Sequence, residues 1–138
     1  MAPWRTIEGG VTAPRGFQAA GIAAGLKASG SPDLALIVSD VPAIAAGVYT
    51  TSQVRAACVD YCSQRLQEKA AAQAILCNSG QANAGTGKQG WTVVQATADW
   101  LGEALDMDPN LVLAASTGVI GQQIPLKPLR AGIPKLIA

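Results

Sequence analysis

The sequence predicts a layered α/β domain in which an N-terminal β meander is followed by alternating helices and strands. Three observations carry this expectation. The chain has 138 residues, 49% of them hydrophobic, which is enough for one core and short enough for a single domain spanning residues 1–138. The apolar pattern becomes helical beyond Val59, after segments of high β preference. Two apolar runs, Ala74–Cys77 and Leu111–Ala115, each lead into small hydroxyl, amide and glycine residues. Each run reads as a buried strand entering a loop, the place where α/β proteins expose backbone N–H groups to a ligand.

Residues 1–30 are rich in glycine, alanine and proline, and within them Phe17–Leu26 fits helix or strand, with extended structure favoured. Asp33–Ser39 reads as a strand, Asp40-Val41-Pro42 as a turn, and Ala45–Thr51 as another strand through Val48, Tyr49 and Thr50. Over residues 59–72, Val59, Cys62, Leu66 and Ala70 recur at helical spacing, with Arg65, Glu68 and Lys69 on the other face. A strand over 73–77 and a glycine loop over 78–87 follow. A second helix from Gln89 to Leu105 places Trp91, Val94, Ala98, Leu101 and Leu105 on one stripe, and Asp106, Asp108 and Pro109 end it. The strand at Leu111–Ala115 leads to a helix-like tail from Leu126 to Ala138, interrupted by Pro128 and Pro134. There is no internal repeat.

Composition excludes several classes. The net charge is +1, and Lys127, Arg130 and Lys135 are the nearest thing to a basic cluster, so neither nucleic acid nor an anionic membrane is expected as a partner. Charged residues make up 14% of the chain, against about 25% in ordinary soluble domains. That shortage predicts surface hidden against a partner. The run Leu34–Val38 stops at Ser39-Asp40, far short of the ~20 residues of a membrane helix. Met1–Arg5 is followed by no long apolar region, so no signal peptide is read and a cytoplasmic location is expected. The three cysteines, Cys58, Cys62 and Cys77, are expected to be reduced, with Cys58 and Cys62 as small core residues rather than metal ligands. The sequence contains no histidine, which removes Ser-His and Cys-His nucleophile pairs and the commonest zinc ligand.

The segment Gly85-Thr86-Gly87-Lys88-Gln89-Gly90 matches G-x-G-x-x-G, but it starts eight residues after Cys77. Its acidic candidates, Asp106 and Asp108, precede the next strand instead of ending it. A phosphate P-loop would need glycine at Ala82 and a hydroxyl at Gln89. Trp91 and Trp100 read as packing residues. Ser116-Thr117-Gly118 fits a tight turn and equally a Thr hydroxyl and a Gly amide donating to one oxygen, as a tetrahedral acyl-transfer intermediate requires.

At these residues the chain resembles the ornithine acetyltransferase family, the glutamate N-acetyltransferases of the cyclic arginine pathway. The matching stretches are Gly9–Pro14 with Gly16-Phe17, Ala19–Gly21 and Gly25–Lys27, then Val48–Thr50 with Gln53-Val54 and Ala56-Ala57. They continue through Leu76–Gly80 with Ala82–Ala84 and end in Ser116–Gly121. The resemblance implies the N-terminal part of the α chain of a self-processing enzyme with an N-terminal threonine nucleophile. It also implies a precursor that cuts itself into α and β chains, and a heterotetramer with a second α–β pair. The β-chain threonine would take acetyl from N2-acetylornithine and pass it to glutamate, some members also accepting acetyl-CoA as a substrate, with no cofactor or metal. Its own terminal amine can serve as base, so no histidine is required.

Carried over by the same resemblance, Thr117 and Gly118 are the oxyanion-hole pair, Thr117 through its side chain and Gly118 through its backbone. The Asn78–Gly87 signature carries no assigned role. The family usually has proline where this chain has Cys58, and cysteine where it has Gly85. The chain ends at Ala138, before the family's substrate-binding threonine and lysine and its self-cleavage threonine, and is thus expected to be an incomplete α segment. Two other classes stay open: a non-catalytic small-molecule or anion-binding assembly domain, and a dinucleotide oxidoreductase. The isolated chain is expected to show no acetyl transfer from N2-acetylornithine to glutamate, and measurable transfer by it alone would contradict the resemblance.

Overall fold

The computed structural model describes residues 4–138, and Met1–Pro3, on which the reading of the leader partly rests, lie outside the described residues. Four strands, β1 (Phe17–Ile22), β2 (Leu34–Ile44), β3 (Ala71–Gln81) and β4 (Val112–Val119), form one sheet in chain order. β1 pairs with β2 and β2 with β3 in antiparallel fashion, and β4 runs parallel to β3. The parallel step requires a crossover, supplied by α2 (Gly87–Leu105), while α1 (Ala57–Glu68) joins β2 to β3 and α3 (Leu126–Leu136) follows β4. No helix among the described residues is long and apolar enough to cross a membrane.

The helices cover one face of the sheet. Leu34, Leu36, Ala74, Leu76 and Val112 alternate onto that face and are buried. They meet Cys58, Tyr61 and Cys62 of α1, Val94, Ala98 and Leu101 of α2, and Leu129, Ile133 and Leu136 of α3, each set at the three- or four-residue spacing of one helical stripe. Trp91 stacks edge-on against Tyr61 and the Arg130 guanidinium lies over Trp100, so both tryptophans pack. Cys58 occupies the second position of α1, where proline, usual in the family, would forfeit no helical hydrogen bond. Among the described residues no helix covers the opposite face. Its shallow hollow of about 290 Å³ is lined by Phe17, Ile37, Ile44, Ile75 and Leu113.

Several elements differ from the sequence-based expectation. Ala45–Thr51 is not a strand. β1 pairs with β2 only as far as Ser39, and β3 begins at Ala71, so no neighbour is available there and Val48 is 99% exposed. Asp40-Val41-Pro42 is not a turn: β2 continues through it, with a register shift between Val38 and Ala43 that relieves Pro42 of ladder pairing. The antiparallel run is therefore completed by β3, after α1. α3 is continuous despite its prolines, because Pro128 lies in the first turn, where N–H groups have no intrahelical acceptor, and Pro134 falls near the end.

Asp33, just before β2, organises the loop from β1. Its carboxylate accepts the amides of Ala24 at 2.6 Å, Leu26 at 2.7 Å and Lys27 at 2.8 Å, and the residue is 3% exposed. Burial opposes the charged form, but the amides of Lys27, Ala24, Leu26 and Gly25 outweigh it and hold the carboxyl below its ordinary value. A carboxyl held low in the folded state stabilises fully above its unfolded pKa of about 4, and that contribution is lost as pH falls through the folded value. In the intact protein Asp33→Asn is expected to cost about 1–3 kcal/mol at pH 7. In thermal melts its gap to the native protein should narrow below about pH 4; a gap constant from pH 7 to pH 3 would contradict this.

Candidate functional site

β3 and β4 do not stop where their apolar runs stop. Asn78–Gln81 and Ser116–Val119 are still strand, so these residues lie on two paired parallel strands and not in loops. The register aligns Asn78 with Ser116, Ser79 with Thr117 and Gly80 with Gly118. Side-chain alternation puts Asn78 and Ser116 on the helix-covered face, where both line a void of about 20 Å³ beside Val93 and Leu129. Ser79 and Thr117 then share the open face.

The direction of the Gly118 amide follows from its neighbours. The Cys62 thiol meets both the carbonyl and the amide of Ala114 at 3.2 Å, so both groups point out of the free sheet edge toward α1. The Val119 carbonyl accepts the Ala82 amide at 3.0 Å and points the other way, toward β3. Alternation between these two anchors directs the amides of Ser116 and Gly118 to the free edge, as at Ala114. Thr117 and Gly118 are both exposed. A hydroxyl on the open face and an amide on the open edge thus stand on consecutive residues at one corner of the sheet, and a single acceptor oxygen can take both.

The corner is held by a contact that only glycine permits. Gly118 has φ +134°, and a Cβ there would stand inside the carbonyl of Gly80 and 2.7 Å from the Gln81 nitrogen. Gly80 has φ +118°, and its own Cβ would lie 3.1 Å from the Leu26 carbonyl oxygen, the oxygen that accepts Gln81 Nε2 at 3.1 Å. Beyond the strands, Gly121 donates to the Ala84 carbonyl at 2.7 Å, and Gln123 Nε2 to that of Thr86 at 2.9 Å. Asn83, fully buried, accepts the Thr86 hydroxyl through Oδ1 at 2.9 Å and donates to the Gly90 carbonyl at 3.2 Å. The Asn78–Gly87 signature thus divides into a strand half beside Thr117 and a hydrogen-bonded turn.

Neither strand segment carries an ionic group: no charged residue lies between Lys69 and Lys88 or between Asp108 and Lys127, and Lys27, whose side chain passes beside Gly80, donates its ammonium to the Pro32 carbonyl at 2.9 Å. Neutral dipoles are what the site offers. Burial pushes the Cys77 and Cys62 thiols up and the Tyr61 phenol to about 12, so none of these supplies a thiolate or phenolate near neutral pH. Among the described residues no cluster of His, Cys, Asp or Glu could hold a metal ion. The G-x-G-x-x-G segment does lie between parallel β3 and β4 and its Gly87 opens α2, yet β4 ends at Val119 and not at an acidic residue.

Sequence reasoning singled out Thr117 and Gly118, and the fold brings them to the open corner. It missed the bridge from Ser116 Oγ to Asn78 Oδ1 at 2.6 Å. The available signal was a polar residue continuing the buried face after Ala74 and Leu76.

Fold and corner together define an α/β domain that presents two neutral donors on a free parallel edge. The chain belongs to the ArgJ family, whose sequence model matches residues 18–138. It is 66% identical over 138 residues to the arginine biosynthesis bifunctional protein ArgJ 1 of Nostoc sp., which covers 100% of this chain and 33% of that protein. The chain thus spans about a third of the length of the curated relatives it matches. A crystal structure of arginine biosynthesis bifunctional protein ArgJ from Bacillus halodurans superposes with a TM-score of 0.88 at 38% identity, over 93% of this chain and 66% of that one. Ornithine acetyltransferase from Mycobacterium tuberculosis, solved in complex with ornithine, gives 0.88 at 44% identity, over 92% of this chain and 68% of that one.

The Gly80–Gly118 contact sets an expectation. Gly118→Ala should destabilise the intact protein by about 2 kcal/mol or more, combining overpacking with backbone strain. An unaltered melting temperature would show that the two strands are free to move apart.

Proposed function

We propose that this chain is the part of an α chain that supplies the oxyanion hole of an acetyltransferase in arginine biosynthesis, moving acetyl from N2-acetylornithine to glutamate. The observation that carries the reading is the corner formed by the Thr117 hydroxyl and the outward Gly118 amide at the end of β4. Family membership and the printed names of the relatives support the reaction class.

In this reading a threonine at the new N-terminus of a β chain, cut from the same precursor, attacks the acetyl carbonyl of N2-acetylornithine. Its hydroxyl proton passes to its own terminal amine. The carbonyl oxygen becomes an oxyanion that accepts from Thr117 Oγ1 and the Gly118 N–H. Collapse returns a proton to the departing ornithine amine and leaves acetyl-threonine. The glutamate amine then attacks that ester through a second oxyanion at the same donors, yielding N-acetylglutamate and free threonine. Neutral donors suit the task, because they are preorganised toward a charge that exists only in the transition state.

The uncovered sheet face and the low charged fraction of 14% support a place for the remainder of the precursor and a second α–β pair. Acetyl-CoA as an alternative donor would use the same two groups, since it presents the same carbonyl.

Thr117→Ala in the intact, processed enzyme is expected to lower kcat about 10²- to 10³-fold, with KM for N2-acetylornithine changed far less. Steady-state kinetics check this, and an unchanged kcat would remove Thr117 from the mechanism.

A further inference from the structure

We infer that Asn78 is a positioning residue for the oxyanion pair: one side-chain amide, bonded to Ser116 on one strand and to Gln81 on the other, fixes where Thr117 and Gly118 stand. The inference rests on the acetyl-transfer reading of that pair and gives a role to the signature residue beside it.

Asn78 continues the buried alternation of Ala74 and Leu76 on β3, a position where a polar group is costly unless its hydrogen bonds are made. They are made in a way that leaves one orientation. The Gln81 carbonyl can only accept, so Nδ2 must face it, at 3.1 Å. Oδ1 then faces Ser116, whose hydroxyl must donate, at 2.6 Å. The void on this side, about 20 Å³, is far too small for an amino-acid substrate, so Asn78 acts through its neighbours and does not touch the reacting atoms.

Those neighbours are the two that matter. Ser116 immediately precedes Thr117. Gln81 immediately follows Gly80, whose carbonyl is the group that Gly118 presses against. The Asn78 amide therefore closes a ring across the strands, Asn78–Ser116–Thr117–Gly118–Gly80–Gln81, with the two oxyanion donors on its exposed side. Without the bridge, β4 is tied at this level only by its ladder, and Thr117 at the free edge can rotate or slide by fractions of an ångström. Displacements of that order matter to a donor that must meet a developing charge.

The test uses the intact, processed enzyme with N2-acetylornithine and glutamate. Ser116→Ala and Asn78→Asp are each expected to lower kcat about 10- to 100-fold with KM within about twofold, and Ser116→Thr, which keeps the hydroxyl, to recover most of the loss. Asn78→Asp still accepts from Ser116 but sets a charge against the Gln81 carbonyl. A residue that merely supports the fold would slow any background equally, so each change is repeated on Thr117→Ala. There the further loss is expected to be clearly smaller than in the native background, because one of the two donors being positioned is gone and only the Gly118 N–H remains. Should Asn78→Asp fail to fold, the Ser116 pair carries the same comparison. A kcat unchanged by Ser116→Ala, or an equal loss with and without Thr117, would overturn the inference. An unchanged kcat in Thr117→Ala itself would instead overturn the reading beneath it, so the two failures are told apart.

Discussion

The approach of Gly118 to Gly80 is the constraint on which the site depends. Strand Cβ atoms normally project above and below the sheet, whereas here a Cβ on Gly118 would run into the Gly80 backbone and one on Gly80 would crowd the Leu26 carbonyl at 3.1 Å. Everything around the contact holds that proximity. The amide cage on Asp33 fixes the loop that ends at Leu26 and Lys27, and the Leu26 carbonyl in turn braces Gly80 and receives Gln81. On the other side, the Cys62 thiol holds the β4 edge at Ala114, and the Ala82–Thr86 turn is bonded to the segment after β4. The buried carboxylate of Asp33 thus helps set the position of the exposed Gly118 amide, far along the chain.

The electrostatic character of the corner follows from the same residues. With no ionic side chain on either strand segment, polarity comes from the hydroxyls of Ser79, Ser116 and Thr117, backbone N–H groups and the side-chain amides of Asn78 and Gln81. Such a site does not attract a resting anion as a cationic pocket would. Its donors count most when an oxygen at the corner becomes charged, which is the differential interaction that lowers a barrier. The apolar sheet face alongside gives a physical location to the charge shortage of the composition. Ile37, Ile75 and Leu113 line it, and a soluble domain would not ordinarily leave such a face to water.

Much of the architecture was legible because it is written in period. The stripes Val94, Ala98, Leu101 and Val59, Cys62, Leu66 need no tertiary information to be read as helix faces, although Ala70, read as part of the latter, lies beyond the end of α1 at Glu68, and Asp106, left-handed at φ 52°, ends α2 as its sequence neighbourhood suggests. What was illegible depends on neighbours. Ala45–Thr51 has β preference but no strand to pair with, and Pro134 is tolerated because it falls near the end of α3, while Ile133 and Leu136 beside it are buried against the sheet. Ser116-Thr117-Gly118 looks like a turn by residue type, yet it stays in the ladder because Gly80 is opposite. Thr117 and Gly118 were reached through family motifs. Asn78 escaped assignment because its partner Ser116 is distant in sequence and only the parallel register joins them.

The most direct measurement is acetyl transfer from N2-acetylornithine to glutamate by the intact protein, with mass spectrometry of its chains in the same sample. N-acetylglutamate is expected to form, together with a β chain that begins at threonine and carries acetyl when glutamate is withheld. A correctly processed protein that forms neither the acetylated chain nor the product would contradict this reading of the corner.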